Sequence, residues 1–478
     1  MFSKEYFKYL IRSHRYLLLL IFLITILNCI GHQRLNHSWL IGLQSLFCVI
    51  LLYVMPVDVF FHIHDKRAID TYFALPISRK AMLLTGILFC TACVYLPYSI
   101  ASIYYFILVK SSFTTVLVFF PEMLLFVLTM IVFNTAIYLI GNNQIDGIIM
   151  LGAYTLLPVF LNNALSIFMS SYVCGLVSYP LDFIGYLSPL WTGGSLITEL
   201  FGNTTHFDKI LVLIAFLLAS SYLLYRNYVD RKSERASMIS DSFLSYPLMI
   251  SVYTLLVLFI ISSLYSFWYD TFIDFFRENF TIYLSVFAVY VAVHFIYKRK
   301  TYFSGKMLLS FFLALAIALG LAFAARSTRG FGLSDSYIRN DVKATYMLNS
   351  WYNTPEKEIS ELLQEASGRK PEYISVYVET KDKRKEDLRQ ESAEVFEKFR
   401  LNAIDQFYSS SEKNFMGSLS IISADKTQYN YNFDLQIELN DLLVLAEDPN
   451  IYVSIDCDYG VYQLLEDGSL RLVEDYLN

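Results

Sequence analysis

Glu122 and Asn134 are the polar residues of this sequence whose setting most favours chemistry. Both lie in one long apolar run, residues 113–140. An ionisable or amide side chain is costly to place in hydrocarbon, so such residues mark substrate or proton sites, or hydrogen bonds between helices. Glu122 follows Pro121 and could bind a cationic group or a proton, but a role in helix packing is favoured for it, as hydrogen bonding between helices is for Asn134. The two residues are the candidates for an intramembrane polar site.

Two further patterns lack the context that their chemistry needs. Cys90 and Cys93 have the spacing of a redox or zinc pair, but they lie in an apolar run that makes them small buried hydrophobic residues. A phosphate-binding loop needs a Gly-rich stretch that ends in Gly-Lys-Ser/Thr, yet Gly305-Lys306 is followed by Met307. The sequence therefore predicts no catalytic constellation, no metal site and no nucleotide site.

The composition explains why apolar runs dominate. Of the 478 residues, 55% are hydrophobic and 17% are charged, which is too apolar for a soluble protein of this size. Residues 326–478 carry 17 basic and 28 acidic side chains, net −11, whereas residues 1–325 carry net +5. The sequence predicts a basic membrane part followed by an acidic, water-soluble part, with a lipid membrane and no nucleic acid as partner.

Nine stretches are long and apolar enough to cross about 30 Å of hydrocarbon. They are residues 16–31, 39–61, 83–109, 113–140, 146–168, 209–225, 244–265, 280–297 and 307–325. The predicted fold class is a polytopic α-helical membrane protein of about nine transmembrane helices, followed by a C-terminal α+β soluble domain. Sixteen Lys and Arg residues lie in connections on the side of the N-terminus and four on the other side. By the positive-inside rule the N-terminus is expected in the cytoplasm and the C-terminal domain outside the cell.

Residues 64–82 connect the second and third predicted spans and carry unusual local signals. Apolar residues recur at helical spacing from Ala68 to Phe73, which predicts a short amphipathic helix. Pro76 interrupts this helix, and Ser78 is well placed to N-cap the third span. A short helix joined rigidly to a membrane helix suits the transmission of motion, and an ordinary interfacial loop with basic residues at the membrane surface is the alternative.

Several segments together resemble an ABC-2-type transporter permease, the membrane subunit of a bacterial ATP-driven exporter. Residues 1–15 resemble its amphipathic elbow helix, and "LPISRK" at 75–80 resembles the segment that docks on the ATPase. "YLSPLWTGG" at 186–194 resembles its extracellular re-entrant region, and "RNYVDRKSERAS" at 226–237 the basic run that closes its sixth span. The order and sidedness of these short motifs carry the resemblance, which covers residues 1–237.

The resemblance implies a division of the chain. The predicted parts are an elbow helix at 1–15, a six-span permease unit at 16–237 with a coupling segment at 64–82 and an extracellular re-entrant region at 169–208, three further spans at 238–325, and an extracytoplasmic acidic domain at 326–478. The three further spans and the external domain depart from the simple six-span pattern.

The resemblance also implies partners. ATP and Mg²⁺ would bind a separate cytoplasmic ABC ATPase, present in two copies, so this chain would be no enzyme and would bind no cofactor itself. A second permease copy or a related permease would complete the path of an amphiphile such as a peptide antibiotic, a lipid or an envelope precursor. The residues expected to couple to the ATPase are Ile69, Tyr72, Phe73, Leu75, Pro76 and Arg79.

Two other functions fit the same sequence. The chain would also suit a membrane sensor of antibiotic or envelope stress that acts through the external domain. A secondary transporter driven by an ion gradient would use Glu122 as its proton or cation site.

The acidic C-terminal region predicts alternating helices and strands. Helices are expected at residues 354–367 and 385–409, a strand at 372–380, a hairpin at 417–439 and one or two strands at 450–465.

The unequal number of basic residues on the two sides leads to a prediction about the membrane topology. A reporter that is active only outside the cytoplasm, fused after Asn478, should be active in intact cells, because nine spans place the two chain ends on opposite sides. A reporter that is active only in the cytoplasm, fused at the same position, is the matched control and should be silent. The opposite pair of results would contradict the nine-span arrangement.

Overall fold

The computed structural model describes residues 2–31, 37–109, 113–178, 185–200, 207–232, 234, 236–238, 240, 242–263, 272–301, 303–336, 345–352, 357–380, 388–408, 416–422, 428–433 and 435–475. The chain divides into two units. The first comprises Met1–Asn162, Asp182–Tyr253 and Val289–Ser304, and the second Asn163–Leu181, Thr254–Ala288 and Gly305–Asn478.

The helices account for the predicted spans. In chain order they are α1 (Lys4–Ser13), α2 (Arg15–Gly31), α3 (His37–Phe60), α4 (Lys66–Phe73), α5 (Arg79–Val109), α6 (Phe113–Tyr138), α7 (Gln144–Tyr172), α8 (Pro189–Leu200), α9 (Phe207–Val229), α10 (Tyr246–Ser263), α11 (Phe272–Lys298), α12 (Gly305–Ser327), α13 (Leu333–Ser336), α14 (Lys357–Ser367), α15 (Gln390–Tyr408) and α16 (Leu439–Ala446). Within the described residues, eight helices are long and apolar enough to cross a membrane, and a ninth span arises if α1 and α2, bent by 72°, count as one. The coarse prediction of many long apolar helices, suited by length and composition to span a membrane and followed by a strand-rich C-terminal region, is confirmed.

Helix α6 lies at the centre of the first unit. It packs against α3, α5, α8 and α9, and most of its side chains from Phe119 to Tyr138 are buried. Its contact with α8 is close because Gly193 has no side chain: a Cβ atom there would lie 1.9 Å from the Phe126 ring. The short helix α8 therefore belongs to the packed interior of this unit.

The second unit is built on one eight-stranded sheet. Its strands are β1 (Leu176–Ser178), β2 (Thr345–Tyr352), β3 (Ile374–Thr380), β4 (Gly417–Ile422), β5 (Gln428–Phe433), β6 (Ile451–Cys457), β7 (Gly460–Leu464) and β8 (Leu470–Asp475). All neighbours are antiparallel, in the order β1-β5-β4-β2-β3-β6-β7-β8. The predicted strand at 372–380, an antiparallel pair of strands within 417–439 and the strands at 450–465 are confirmed, whereas the sequence did not predict β2, β8 and α16. Residues 423–427, between the two strands of that pair, lie outside the described residues.

Helix α15 covers one face of this sheet. It packs on β4 and β5, where the ring centroids of Phe399 and Phe433 are 4.8 Å apart. Arg400 on the same helix is 1% exposed. Its guanidinium donates two hydrogen bonds to Glu397, at 2.5 and 2.6 Å, and one to the Ser334 carbonyl at 2.8 Å. A buried charge is tolerated here because every one of these acceptors compensates its lost hydration.

Residues that follow α7 join the sheet of the second unit. Leu176 pairs with Tyr429 across β1 and β5, and the Cys174 N–H donates to the Ser334 hydroxyl at 3.0 Å. This part of the predicted re-entrant region 169–208 is thus the edge of an antiparallel sheet. Residues 179–184 and 201–206 of that region lie outside the described residues.

Candidate functional site

The coupling segment predicted at 64–82 contains the short helix α4. Asp65 caps its first turn, because its side chain accepts a hydrogen bond of 3.0 Å from the Arg67 N–H. Ile69 is fully buried and packs α4 against the core. Pro76 follows the last turn and is exposed, as is Leu75 with 40% of its surface accessible. The segment is a packed helix that ends in an exposed apolar tip.

Tyr72 joins α4 to the N-terminal helix α1. Its ring stacks on His62 with centroids 4.1 Å apart, and its hydroxyl is 2.9 Å from the hydroxyl of Tyr9. Burial, and then the hydrogen bond and charge of Tyr9, raise the pKa of Tyr72 above its ordinary value. A cavity of about 340 Å³ lies between the two helices and is lined by Tyr6, Tyr9, Tyr72 and Leu75 among others.

Phe73 joins α4 to the start of α5. The Arg79 guanidinium lies 3.9 Å from the centroid of the Phe73 ring, which is a cation–π contact. The Phe73 and Tyr228 rings pack edge to face with their centroids 6.4 Å apart. The same guanidinium donates to the carbonyls of Val229 and Arg231, at 3.1 and 3.0 Å. Val229 is the last residue of α9 and Arg231 follows the helix, so neither carbonyl has a partner within α9. Arg79 therefore links α4, α5 and α9.

Arg231 likewise donates hydrogen bonds to carbonyls at the end of α6. It is 5% exposed and donates to the carbonyls of Leu139 and Gly141, at 2.9 and 3.1 Å, and to the Asn142 side-chain oxygen at 3.3 Å. Burial, together with the charge of Arg231, lowers the pKa of the adjacent His64 ring to about 3. His64 consequently stays neutral at physiological pH and does not repel the arginine.

The six residues expected to contact an ATPase thus divide into two groups. Ile69, Tyr72, Phe73 and Arg79 are wholly or partly buried and hold α4 to its own bundle, while Leu75 and Pro76 are exposed. In the sequence, Arg231 is one basic residue of the run at 226–237. Nothing in its type or spacing distinguished it from exposed Lys232, so sequence reasoning missed it.

Asn134 and Glu122 do not form one site. They are 12 residues apart on α6, which is about 18 Å along a helix. Asn134 is fully buried and its amide donates to the Leu52 carbonyl at 2.9 Å. Pro56, four residues after Leu52 on α3, has no N–H to offer that carbonyl. Asn134 therefore completes a hydrogen bond that the proline removes.

Glu122 has a different setting. It is 7% exposed, and its Oε2 atom has no hydrogen-bond partner among the described residues. A carboxyl group buried in this way is expected either to carry a proton or to meet a cation during function.

Cys90 and Cys93 are both buried in α5. The Cys90 thiol donates to the Met55 carbonyl at 3.6 Å. Within the parts of the chain that the structure describes, no group of three or more His, Cys, Asp or Glu side chains is arranged to hold a metal ion.

Comparisons with models of protein families, with curated proteins and with solved structures find no match to this chain.

Arg231→Met should destabilise the first unit, because it removes the hydrogen bonds that the guanidinium donates to the buried carbonyls of Leu139 and Gly141. Each unsatisfied buried group costs about 1–3 kcal/mol, so the apparent unfolding temperature of the detergent-purified protein should fall by several degrees. Lys232→Met removes the neighbouring exposed charge and is the matched control, for which we expect no change. Equal unfolding temperatures for both variants would show that the carbonyls need no arginine.

Proposed function

We propose that this chain is the permease subunit of an ATP-driven ABC transporter of the bacterial cell membrane, and that it exports an amphiphilic substrate. ATP and Mg²⁺ bind two copies of a separate cytoplasmic ATPase, and a second permease copy, identical or related, completes the transport path. The order of elements supports this proposal: an amphipathic helix bent by 72° from the next one, then a short helix between two long apolar helices, then a short helix α8 packed inside the bundle.

The observation that carries the proposal is the set of contacts that hold α4 in place. A helix of eight residues would not hold its shape alone, but three contacts fix α4. Ile69 is buried in the core, the Tyr72 hydroxyl contacts Tyr9 on α1, and the Phe73 ring contacts the Arg79 guanidinium. Its exposed end, with Leu75 and Pro76, is left for a partner. A force applied at this tip reaches α5, and reaches α9 and α6 through Arg79 and Arg231.

The edge strand β1 supports the proposed topology. Because β1 pairs with β5, residues 176–178 and the C-terminal sheet must lie on the same side of a membrane. Four candidate spans, α9 to α12, separate the two in the described chain, and an even number returns the chain to the side from which it started. This parity agrees with a segment 169–208 that does not cross the membrane and with an extracytoplasmic C-terminal domain.

Glu122 supports a second candidate, an ion-driven secondary transporter. Its buried carboxyl group has an oxygen without a partner among the described residues, as a proton or cation site would require. The two candidates differ in what Glu122→Gln does. It should abolish ion-driven transport, whereas a permease driven by a partner ATPase should keep its ATP turnover.

The permease proposal predicts that Leu75→Asp releases the ATPase. The chain would be co-expressed with an ATPase encoded beside it, and both the co-purified ATPase and its ATP turnover would be measured. A buried apolar anchor in an interface is worth about 2 kcal/mol or more, so at least about tenfold less complex is expected at a given concentration. Tyr72→Ala and Phe73→Ala are less decisive because both side chains also hold α4 in place.

Leu401→Asp is the matched control for this experiment. Leu401 is similarly exposed, at 46%, but lies on α15 in the second unit. It should leave the complex and the ATP turnover unchanged. Retention of the complex by Leu75→Asp would contradict docking at the α4 tip.

A further inference from the structure

An open apolar groove runs along the first unit between the helix pair α1–α2 and helix α5. Its volume is about 650 Å³. Its lining includes Phe7 and Ile11 from α1, Phe22 and Cys29 from α2, and Pro97 and Tyr104 from α5. Several of these side chains are well exposed, Ile11 at 42% and Phe22 at 61%. An apolar surface of this kind is not left to water when a less polar occupant is available.

The length of the groove matches one leaflet of a bilayer. On α2 its lining runs from Leu18 to Cys29, and eleven residues of helix rise about 16 Å. Half of a hydrocarbon core is about 15 Å thick. The groove is therefore as long as an extended acyl chain that starts at the interface, where the amphipathic α1 would lie.

Positive charge lies beside the α1 end of the groove. At 100° per residue, Lys4 and Lys8 lie next to Phe7 and Ile11 on the circumference of α1. They are on the side of the helix away from the buried Tyr6. Lys8 pairs with Glu5 at 3.1 Å, but both side chains are exposed, so the pair is weak. Lys4 has no ion pair within the described residues. The groove thus combines an apolar channel with a cationic end.

We propose that this groove is a binding site for an anionic phospholipid of the surrounding membrane. The acyl chain lies along Ile11, Phe22 and Pro97, and the phosphate lies near Lys4 and Lys8. One wall is the candidate span α5 and the other is the bent pair α1–α2, which counts as a ninth span if it is taken as one. A lipid is therefore the adjacent partner, and basic residues at a membrane surface favour an anionic headgroup. This site does not depend on the proposed transport function.

Binding of single lipids to the full-length, detergent-purified chain tests the proposal. Native mass spectrometry would give the affinities for dioleoylphosphatidylglycerol and for dioleoylphosphatidylcholine. The anionic lipid should bind more tightly, and each of Lys4→Gln and Lys8→Gln should weaken it by about fivefold. The affinity for phosphatidylcholine should not change in either variant.

A second pair of variants tests the groove itself. Ala92 lines the groove, so Ala92→Phe should fill it and reduce the retention of both lipids. Ala219 is an exposed alanine on α9 outside the groove, and Ala219→Phe should leave retention unchanged. Unfolding temperatures measured without added lipid separate loss of the site from loss of the fold.

Three results would overturn the proposal. Equal affinities for the two lipids, unaffected by the lysine variants, would remove the headgroup site. Unchanged lipid retention in Ala92→Phe would place the bound lipid elsewhere. A change of oligomeric state in Ala92→Phe, without a change in lipid retention, would make the groove an interface between two copies of the chain.

Discussion

Two helix ends in the first unit carry carbonyl groups that are buried or partly buried, and two arginines supply their hydrogen bonds. Arg231 serves the end of α6 through Leu139 and Gly141, and Arg79 serves the end of α9. Terminal carbonyls have no partner in their own helix, so these contacts decide how the connecting segments are folded. Because Arg79 also stacks on Phe73, the position of α4 depends on the same network. The proposed transmission of force from a partner would be lost if this network were loose.

The sequence predicted well those features that depend on one local rule. The thickness of a bilayer sets the length of an apolar run, so the ends of the long helices could be located within about four residues, except that α11 begins at Phe272, before the predicted 280. Pro76 marks the end region of α4 through the loss of an N–H, whereas the cap at Asp65 is seen only in the structure. Every second side chain of β3 is buried, and this alternation can be read from the order of apolar residues in its sequence.

Features that depend on partners distant in sequence could not be predicted in this way. Arg231 reads as one more surface cation until the end of α6 is placed beside it. Tyr72 and Phe73 were expected to face a partner protein, yet they contact Tyr9 and Arg79. The strand β1 is only three residues long, and its partner Tyr429 is some 250 residues away. Asn134 shows an intermediate case: Pro56 predicts an unsatisfied carbonyl, but only the fold shows which side chain donates to it.

Photo-crosslinking from position 75 tests most directly whether the α4 tip is the docking surface for an ATPase. A photoreactive amino acid would replace Leu75, or Leu401 in the control, and the chain would be irradiated in membranes that contain the co-expressed ATPase. We expect a covalent adduct between the two chains from position 75 that depends on irradiation, and none from position 401. A stable complex that gives no adduct from position 75, or equal adducts from both positions, would contradict it.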